Sequence, residues 1–181
     1  MSGHTKERPG YWLHTGGTGI LTWYDSKHDL LGEWSDTEYN DWSRVEDLTN
    51  LPDEAFHRNV DKIVLEAGTT HGDVVKTALV CPPTIYGAFL SLWCSWINAN
   101  SISLGKGRGP VSGRSRQAYE LAKLILTAKY VPIVGKGKAR WNNVHVHDLS
   151  DVYALLVDAA IAGNHSSDIW GAKGYILAEN G

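Results

Sequence analysis

The sequence predicts an α/β protein whose sheet is mostly parallel. Short apolar runs of strand length alternate along the chain with longer segments of helical spacing. A helix that connects two strands of one sheet usually makes those strands parallel, because it returns the chain to the edge where it started. The 181 residues suffice for one domain with a core, and the hydrophobic share of 43% and charged share of 20% are typical of globular proteins.

The N-terminal half contains two predicted strands and one predicted helix. GYWLHT, at 10–15, is a short buried strand that ends in a glycine turn. Segment 23–52 is polar, acidic and aperiodic, so we expect a long surface excursion with at most one helical turn. A helix is predicted over 55–67, and VVKTALVC, at 74–81, is a β-branched apolar strand. The predicted apolar face of the helix consists of Phe56, Val60, Ile63, Val64 and Ala67.

The C-terminal half continues the alternation of helices and strands. Its predicted elements are a helix over 115–129, short strands over 130–135 and 142–148, a helix over 149–163 and a closing strand over 173–180. Asp148 is placed to cap the second of these helices. The same helix carries one apolar stripe, formed by Val152, Leu155, Leu156 and Ala159.

Charge and cysteine content exclude several classes of protein. The net charge is −3 and there is no basic block, so we expect no nucleic-acid partner. The N-terminus is polar and does not resemble a signal peptide, so we expect a cytoplasmic protein without a membrane partner. Two cysteines, Cys81 and Cys94, do not make a disulfide framework. Cys81 ends a predicted buried strand, which favours a small core residue over a nucleophile.

Two further patterns could carry chemistry. His145 and His147 share one face of a strand, and His14, His57 or Asp148 could complete a zinc site. No ligand cluster has the usual close spacing, so we expect no metal, with one histidine packed and the other hydrogen-bonded.

The glycine- and lysine-rich runs GKGRGP and VGKGKAR could cradle phosphates, but neither matches the P-loop pattern, and ordinary surface turns explain them equally well.

Five segments together resemble one family. WLHTGGTGIL, FHRNVDKIVLEA, VKTALVCPPTIYG, NNVHVHDLSDVYALLVDAA and GYILAENG, in this order, resemble the C-terminal two-thirds of an extended short-chain dehydrogenase/reductase of the NAD-dependent epimerase/dehydratase type. The resemblance implies that 1–181 form a partial Rossmann-like, doubly wound parallel sheet with the start of a substrate lobe. It also implies NAD or NADP as cofactor, and an oxidoreductase or isomerase that acts on a hydroxyl or carbonyl of a small molecule.

The resemblance also implies which residues form the site. The cofactor-binding residues would be Thr15, Gly16, His57, Pro82, Pro83, Thr84 and Ile85. The substrate-binding residues would be Tyr86, Arg140 and His145.

The sequence departs from the family pattern at three places. The family's first strand and glycine-rich phosphate loop would lie upstream of Tyr11, so we expect a fragment with an incomplete dinucleotide site, inactive as it stands. The family serine would fall at Gly16 or Gly17, and the Tyr-x-x-x-Lys pair would fall at Asp53 and His57. His57 is then the candidate catalytic acid or base. The alternative is a non-catalytic dinucleotide-sensing or interaction protein on the same scaffold.

An apolar insert interrupts the loop between PPTIYG and KGRGP. Removing 88–105 joins the two loop halves as in the family and preserves the reading frame. The encoded amino acids permit a GTGCGT donor, a branch site and a TAG acceptor, so we predict a retained intron. The alternatives are a lineage-specific hydrophobic loop or a membrane anchor, although the run is short and polar for a span.

Overall fold

The computed structural model describes residues 3–87 and 116–180. Its strands are β1 (Gly10–Thr15), β2 (Val75–Cys81), β3 (Thr84–Tyr86), β4 (Asn143–His145) and β5 (Tyr175–Leu177). Its α-helices are α1 (Trp23–Lys27), α2 (Val45–Thr49), α3 (Arg58–Thr70), α4 (Arg116–Ala128) and α5 (Val146–Ile161). The insert at 88–105 lies outside the described residues. None of the helices in the described ranges is long and apolar enough to cross a membrane.

A three-stranded parallel sheet organises the described part of the chain. The strand order is β1-β2-β5, with Leu13 opposite Ala78 and Leu79 opposite Tyr175. The carboxyl-terminal half of β2 is fully buried, as expected for a central strand covered on both faces. The predicted α/β class and parallel pairing are therefore confirmed.

Alternate residues of β2 face two hydrophobic clusters. Leu79 and Cys81 contact a cluster that α2, α3 and β5 complete, while Ala78 and Val80 contact a cluster on the other side. The second cluster includes Leu149 and Leu156 of α5, whereas Leu155 of the predicted stripe is 68% exposed. Helices thus cover both faces of the sheet.

A second, two-stranded parallel sheet pairs β3 with β4. Ile85 lies opposite Val144, and both belong to or pack against the second cluster. The backbone of Asn180 joins this sheet to the end of β5, because its N–H donates to the Asn143 carbonyl at 2.9 Å. The segment PPTIYG, expected to be a loop, therefore contains a short strand.

The prediction that 23–52 is a surface excursion is wrong for its second half. This segment contains two short helices, and Val45, Leu48 and Leu51 are buried. Arg58 fixes the end of α2, since its guanidinium donates to the carbonyls of Leu51, at 2.9 Å, and Thr49. A helix of five residues has little local stability, so packing against α3 and β2 decides its structure.

The predicted apolar face of α3 is confirmed at Val64 and wrong at Phe56, Val60 and Ile63. Phe56 and Ile63 are 64% and 60% exposed, while the buried face is Arg58, Asp61, Val64, Leu65 and Gly68. Gly68 permits this orientation, because a Cβ there would lie 1.9 Å from the Thr77 hydroxyl on β2. The helix also begins three residues later than predicted and continues to Thr70, beyond the predicted end at Ala67.

Two predictions for the C-terminal half require correction. The run at 130–135 forms no strand; Val131 and Ile133 are exposed, and this part of the chain packs against the 31–33 loop instead. Asp148 does not cap α5. The Nδ1 atom of His145 accepts from the His147 backbone N–H at 3.3 Å, and the Asp148 carboxylate accepts from the Asn180 side chain at 3.0 Å.

Candidate functional site

Four of the residues assigned to cofactor binding meet at the carboxyl ends of β1 and β2. We call Thr15, Gly16, His57 and Pro82, with Gly17 between them, the strand-end cluster. The Gly16 N–H donates to the Val80 carbonyl at 2.8 Å, which extends the β1–β2 ladder past Thr15. A Cβ on Gly17 would lie 3.8 Å from the Pro82 carbonyl oxygen and 4.0 Å from His57 Nε2. In open α/β sheets, ligands bind in the crevice beyond this edge.

The two central glycines of the cluster have different surroundings. A Cβ on Gly16 would lie 2.8 Å from the buried Cys81 sulfur, so this position has no room for a side chain. Gly17 has an extended backbone, with φ of −176°, and ordinary contact distances around its Cβ position. The serine expected from the family pattern is therefore excluded by space at position 16 and permitted at position 17.

His57 stands at the start of α3 with its ring near Gly17. Its backbone is left-handed, with φ of 69°, and its ring contacts Phe56 at a centroid distance of 3.9 Å. Phe56 in turn lies over Gly19, which holds the start of the helix against the glycine turn. The exposed imidazole is thus positioned by its neighbours and remains accessible to a ligand.

Asp53, at the position of the family tyrosine, is engaged elsewhere. Its exposed carboxylate accepts from Lys62 Nζ at 2.6 Å, and this hydrogen bond, with the charge of Lys62, lowers the pKa of the Asp53 carboxyl. Asp53 is therefore an anionic acceptor in a surface ion pair and cannot supply the proton-donating phenol of the family.

The side-chain hydroxyl of Thr15 is already engaged, so Thr15 offers mainly its backbone to a ligand at the cluster. Its side-chain oxygen is hydrogen-bonded to the Tyr153 phenol on α5. The bond fixes the end of β1 to the helix that covers one face of the sheet. A cofactor contact at this position would therefore compete with Tyr153 for the hydroxyl.

A buried polar group that was not predicted from the sequence lies directly beneath the cluster. Asp61 is fully buried, and its Oδ2 accepts from the Tyr175 hydroxyl at 3.0 Å. Its Oδ1 lies 3.6 Å from the Cβ position of Gly16 and has no hydrogen-bond partner among the described residues. Burial raises the pKa of Asp61, although the Tyr175 hydrogen bond and the nearby His57 and His14 oppose the shift.

Cys81 completes this buried group as a packing residue. Burial raises the pKa of its thiol to about 12, so the thiolate is not accessible at neutral pH. Burial also raises the pKa of Tyr175, which keeps its hydroxyl protonated as the donor to Asp61. The prediction that Cys81 is a small core residue is confirmed. The sequence signal for Asp61 was its three-residue spacing from both Arg58 and Val64.

The other assigned residues of the PPTIYG segment lie in the second sheet. Pro83 is buried at the turn from β2, and Thr84 and Ile85 pair with β4. Tyr86 lies opposite His145, and their rings meet edge to face with centroids 5.2 Å apart. The structure therefore brings the two assigned substrate-binding residues Tyr86 and His145 together.

The histidine pair on β4 and α5 does not gather a ligand set. The rings of His145 and His147 stack with centroids 5.1 Å apart. His145 Nε2 faces Gly87, whose φ of 104° and lack of a side chain permit this approach. Within residues 3–87 and 116–180, no group of three or more His, Cys, Asp or Glu side chains could hold a metal ion. The zinc alternative therefore has no support in the described residues.

Arg140, the third assigned substrate-binding residue, lines a cavity of about 680 Å³. Thr18 also lines this cavity, and its backbone N–H donates to the Pro82 carbonyl at 3.1 Å. Thr18 thus belongs to both the wall of the cavity and the turn that carries the strand-end cluster. The volume lies within the range typical of small-molecule sites.

Two irregular segments form one rim of the cavity and are joined by specific contacts. The Arg140 guanidinium lies over the Trp34 ring, 5.1 Å from its centroid. The Lys138 N–H donates to the Gly32 carbonyl at 2.8 Å, and Lys136 pairs with Glu33 at 3.0 Å. These contacts hold segment 30–38 against segment 134–141 at the rim of the cavity.

Comparison with known proteins gives one informative relative. The chain is 33% identical over 184 residues to a protein named Oxidase ucsJ from Acremonium sp. The aligned region covers 97% of this chain and 48% of the relative, so the chain spans about half the length of the protein it matches. No family model matches the chain, and no solved structure matches it.

Proposed function

We propose that the chain is part of an NAD(P)-binding protein of the epimerase/dehydratase type. Its sheet would be the corresponding part of a Rossmann-like, doubly wound fold. The intact protein would act as an oxidoreductase or isomerase on a hydroxyl or carbonyl of a small molecule.

The observation that carries the proposal is the strand-end cluster. Four of its five residues were assigned to cofactor binding from the sequence resemblance alone, and they converge at the carboxyl ends of two neighbouring parallel strands. This edge is where doubly wound folds bind nucleotides. Gly17 places only backbone beside His57 and the Pro82 carbonyl, so a flat ring could approach the strand ends closely.

The residues fit the nicotinamide end of a dinucleotide better than its phosphates. Gly17 offers close approach to the backbone next to the Pro82 carbonyl, and His57 offers a ring nitrogen beside them. When bound, the dinucleotide would take up or deliver a hydride. His57 would hydrogen-bond its ribose or exchange a proton with the substrate, because its exposed ring nitrogens can donate or accept.

The name of the relative supports a redox role. A protein named as an oxidase shares a third of its aligned residues with this chain along nearly the whole chain. An oxidoreductase is accordingly the better supported of the two enzyme classes.

One observation favours the alternative of a dinucleotide-sensing protein without catalysis. The position of the family tyrosine holds Asp53, whose carboxylate is paired with Lys62 on the surface. Such a group lacks the phenol that would protonate a carbonyl oxygen. The two functions differ in turnover, whereas both require dinucleotide binding at the strand-end cluster.

Calorimetric titration with NAD and NADP tests the proposal. We would titrate the 181-residue chain and a protein in which 88–105 is removed and the upstream coding sequence is joined. The second protein is expected to bind one dinucleotide saturably. In it, His57→Ala should weaken binding about tenfold, which is about 1.4 kcal/mol. The matched control is His71→Ala, an exposed histidine at the other end of the same helix.

The control separates a ligand contact from a packing role. Unfolding midpoints in urea should be equal for the two histidine variants and the parent protein. Unchanged affinity with a lower midpoint would identify His57 as a packing residue. Absence of saturable binding by the joined protein would exclude both the enzyme and the sensor.

A further inference from the structure

The walls of the 680 Å³ cavity are rich in aromatic rings. Four of its lining residues are Trp23, Tyr24, Tyr39 and Trp141. Tyr24 and Trp141 expose 49% and 59% of their surface, although large aromatic side chains gain most when they are buried. A flat apolar ligand that entered the cavity would cover these rings and remove their surface from water.

The charged residues of the cavity wall are mainly acidic. Asp25, Glu38 and Glu179 line it together with a single cation, Arg140. In the part of the chain that the structure describes, neither Asp25 nor Glu38 forms an ion pair, while Glu179 accepts a hydrogen bond from Asn142. The wall therefore repels anions and offers two carboxylates to a hydrogen-bond donor.

The neutral polar groups of the wall are partly satisfied by the protein itself. The Thr22 hydroxyl donates to the Gly19 carbonyl at 2.8 Å, and the Ser35 oxygen accepts from the Thr37 N–H at 3.2 Å. Burial, together with the charges of Asp25 and Asp47, raises the pKa of Tyr39 and keeps its phenol protonated. The strongest groups left for a ligand are the two carboxylates.

We propose that this cavity binds a small aromatic molecule without negative charge, whose hydroxyl or amino group donates to Asp25 or Glu38. The rings would stack on Tyr24 and Trp141, and the acidic wall would exclude carboxylates and phosphates. Thr18 connects the cavity to the strand-end cluster. The assignment of this molecule as the substrate rests on the proposed function, whereas its binding does not require a dinucleotide.

Three probes with the same ring system and different charge test the proposal on the unmodified protein. They are 2-naphthylmethylamine, protonated at neutral pH, 2-naphthalenemethanol and 2-naphthoate. Calorimetry is run without dinucleotide. The ammonium and the alcohol are expected to bind, and the ammonium should bind at least about tenfold more tightly than the carboxylate.

Paired variants locate the binding site. Trp141→Ala should weaken binding of the ammonium and the alcohol, whereas Trp42→Ala should not, because Trp42 is equally a surface ring, 75% exposed, but lies outside the cavity wall. Unfolding midpoints are measured for each variant. A Trp141→Phe variant keeps a ring and should retain most of the affinity if stacking is the cause.

Charge variants test the selectivity. Asp25→Asn with Glu38→Gln should reduce the preference for ammonium over carboxylate to about threefold or less. Glu46→Gln with Glu66→Gln removes the same charge from exposed positions outside the cavity and should leave the preference unchanged.

Three results would overturn the inference. These are binding of 2-naphthoate as tight as that of the ammonium, no binding of any probe at millimolar concentration, and equal effects of the Trp42 and Trp141 variants. Probe binding by a protein that binds no dinucleotide would leave this inference standing and remove the proposed function. Dinucleotide binding without probe binding would overturn this inference and leave the proposed function standing.

Discussion

The two adjacent glycines of the strand-end cluster should respond oppositely to the same substitution. At Gly16 an added Cβ would lie 2.8 Å from the Cys81 sulfur, whereas nonbonded carbon contacts are comfortable at about 3.5–4.0 Å. The sulfur cannot retreat easily, because Cys81 is fully buried on the central strand. Gly16→Ala should therefore destabilise by ~1–3 kcal/mol, the usual cost of overpacking.

Gly17→Ala should be neutral or stabilising. Its φ of −176° is extended backbone that alanine adopts freely, and the nearest atoms to the new Cβ lie at 3.8 and 4.0 Å. Loss of backbone freedom in the unfolded chain then raises the free energy of unfolding by ~0.4–1 kcal/mol. The two variants should differ by about 1.5–4 kcal/mol.

Urea unfolding monitored by tryptophan fluorescence measures both variants, and equal m-values would confirm that only stability changed. A double-mutant cycle with Cys81→Ala isolates the contact, because removing the sulfur should relieve part of the cost of Gly16→Ala. The reasoning fails if Gly16→Ala is tolerated as well as Gly17→Ala. It also fails if the cycle shows no coupling between positions 16 and 81.

Three further predictions follow from the fold and the sequence. Leu48→Ala should lower the free energy of unfolding in urea by ~2–5 kcal/mol, and Leu31→Ala by less than about 0.5 kcal/mol, because only Leu48 is buried. Similar losses for the two variants would show that Leu48 is not in the core and would support the predicted surface excursion. Burial raises the pKa of Asp61 above 3.8, so the folded chain holds the carboxyl proton more tightly than the unfolded chain, and the free energy of unfolding falls as pH rises above that value. Asp61→Asn should flatten this decline. Parallel plots of stability against pH for the variant and the parent would refute the raised pKa of Asp61. Mature message should lack the codons of Ala88 to Gly105, and cDNA that retains them uniformly would exclude the intron.

Local sequence patterns correctly predicted the elements whose apolar residues follow a clear strand or helix period. The apolar run of β2 and the alternation of strands with helices gave the parallel sheet correctly. The run at 130–135 is also rich in β-branched apolar residues but has no partner strand among the described residues, so its apolar side chains stay exposed. A strand needs a neighbour, and a window of sequence contains no information on whether one is available.

The face of α3 could not be predicted because distant polar partners determine it. Asp61 is buried only because Tyr175, 114 residues away in sequence, donates to it. Arg58 is buried because it donates to carbonyls of the α2 segment. Counting apolar residues therefore selected Phe56 and Ile63, which have no such partners and remain at the surface.

The candidate site was only partly visible in the sequence. Gly16, His57 and Pro82 were assigned through resemblance to a family, and the fold brings them together. The cavity could not be foreseen, because its walls come from short helical turns at 18–25, irregular segments at 35–39 and 140–142 and the end of β5, which share no periodic pattern. The buried Asp61 beneath Gly16 carried only a weak spacing signal.

The central claim is that a dinucleotide binds at the strand-end cluster. Two-dimensional amide spectra of the isotope-labelled joined protein, recorded during titration with NAD and NADP, test it most directly. We expect saturable shifts of the amide signals of Gly16, Gly17, Thr18 and His57, because these residues lie at the carboxyl ends of β1 and β2. Saturable binding that leaves these signals unmoved would contradict the account.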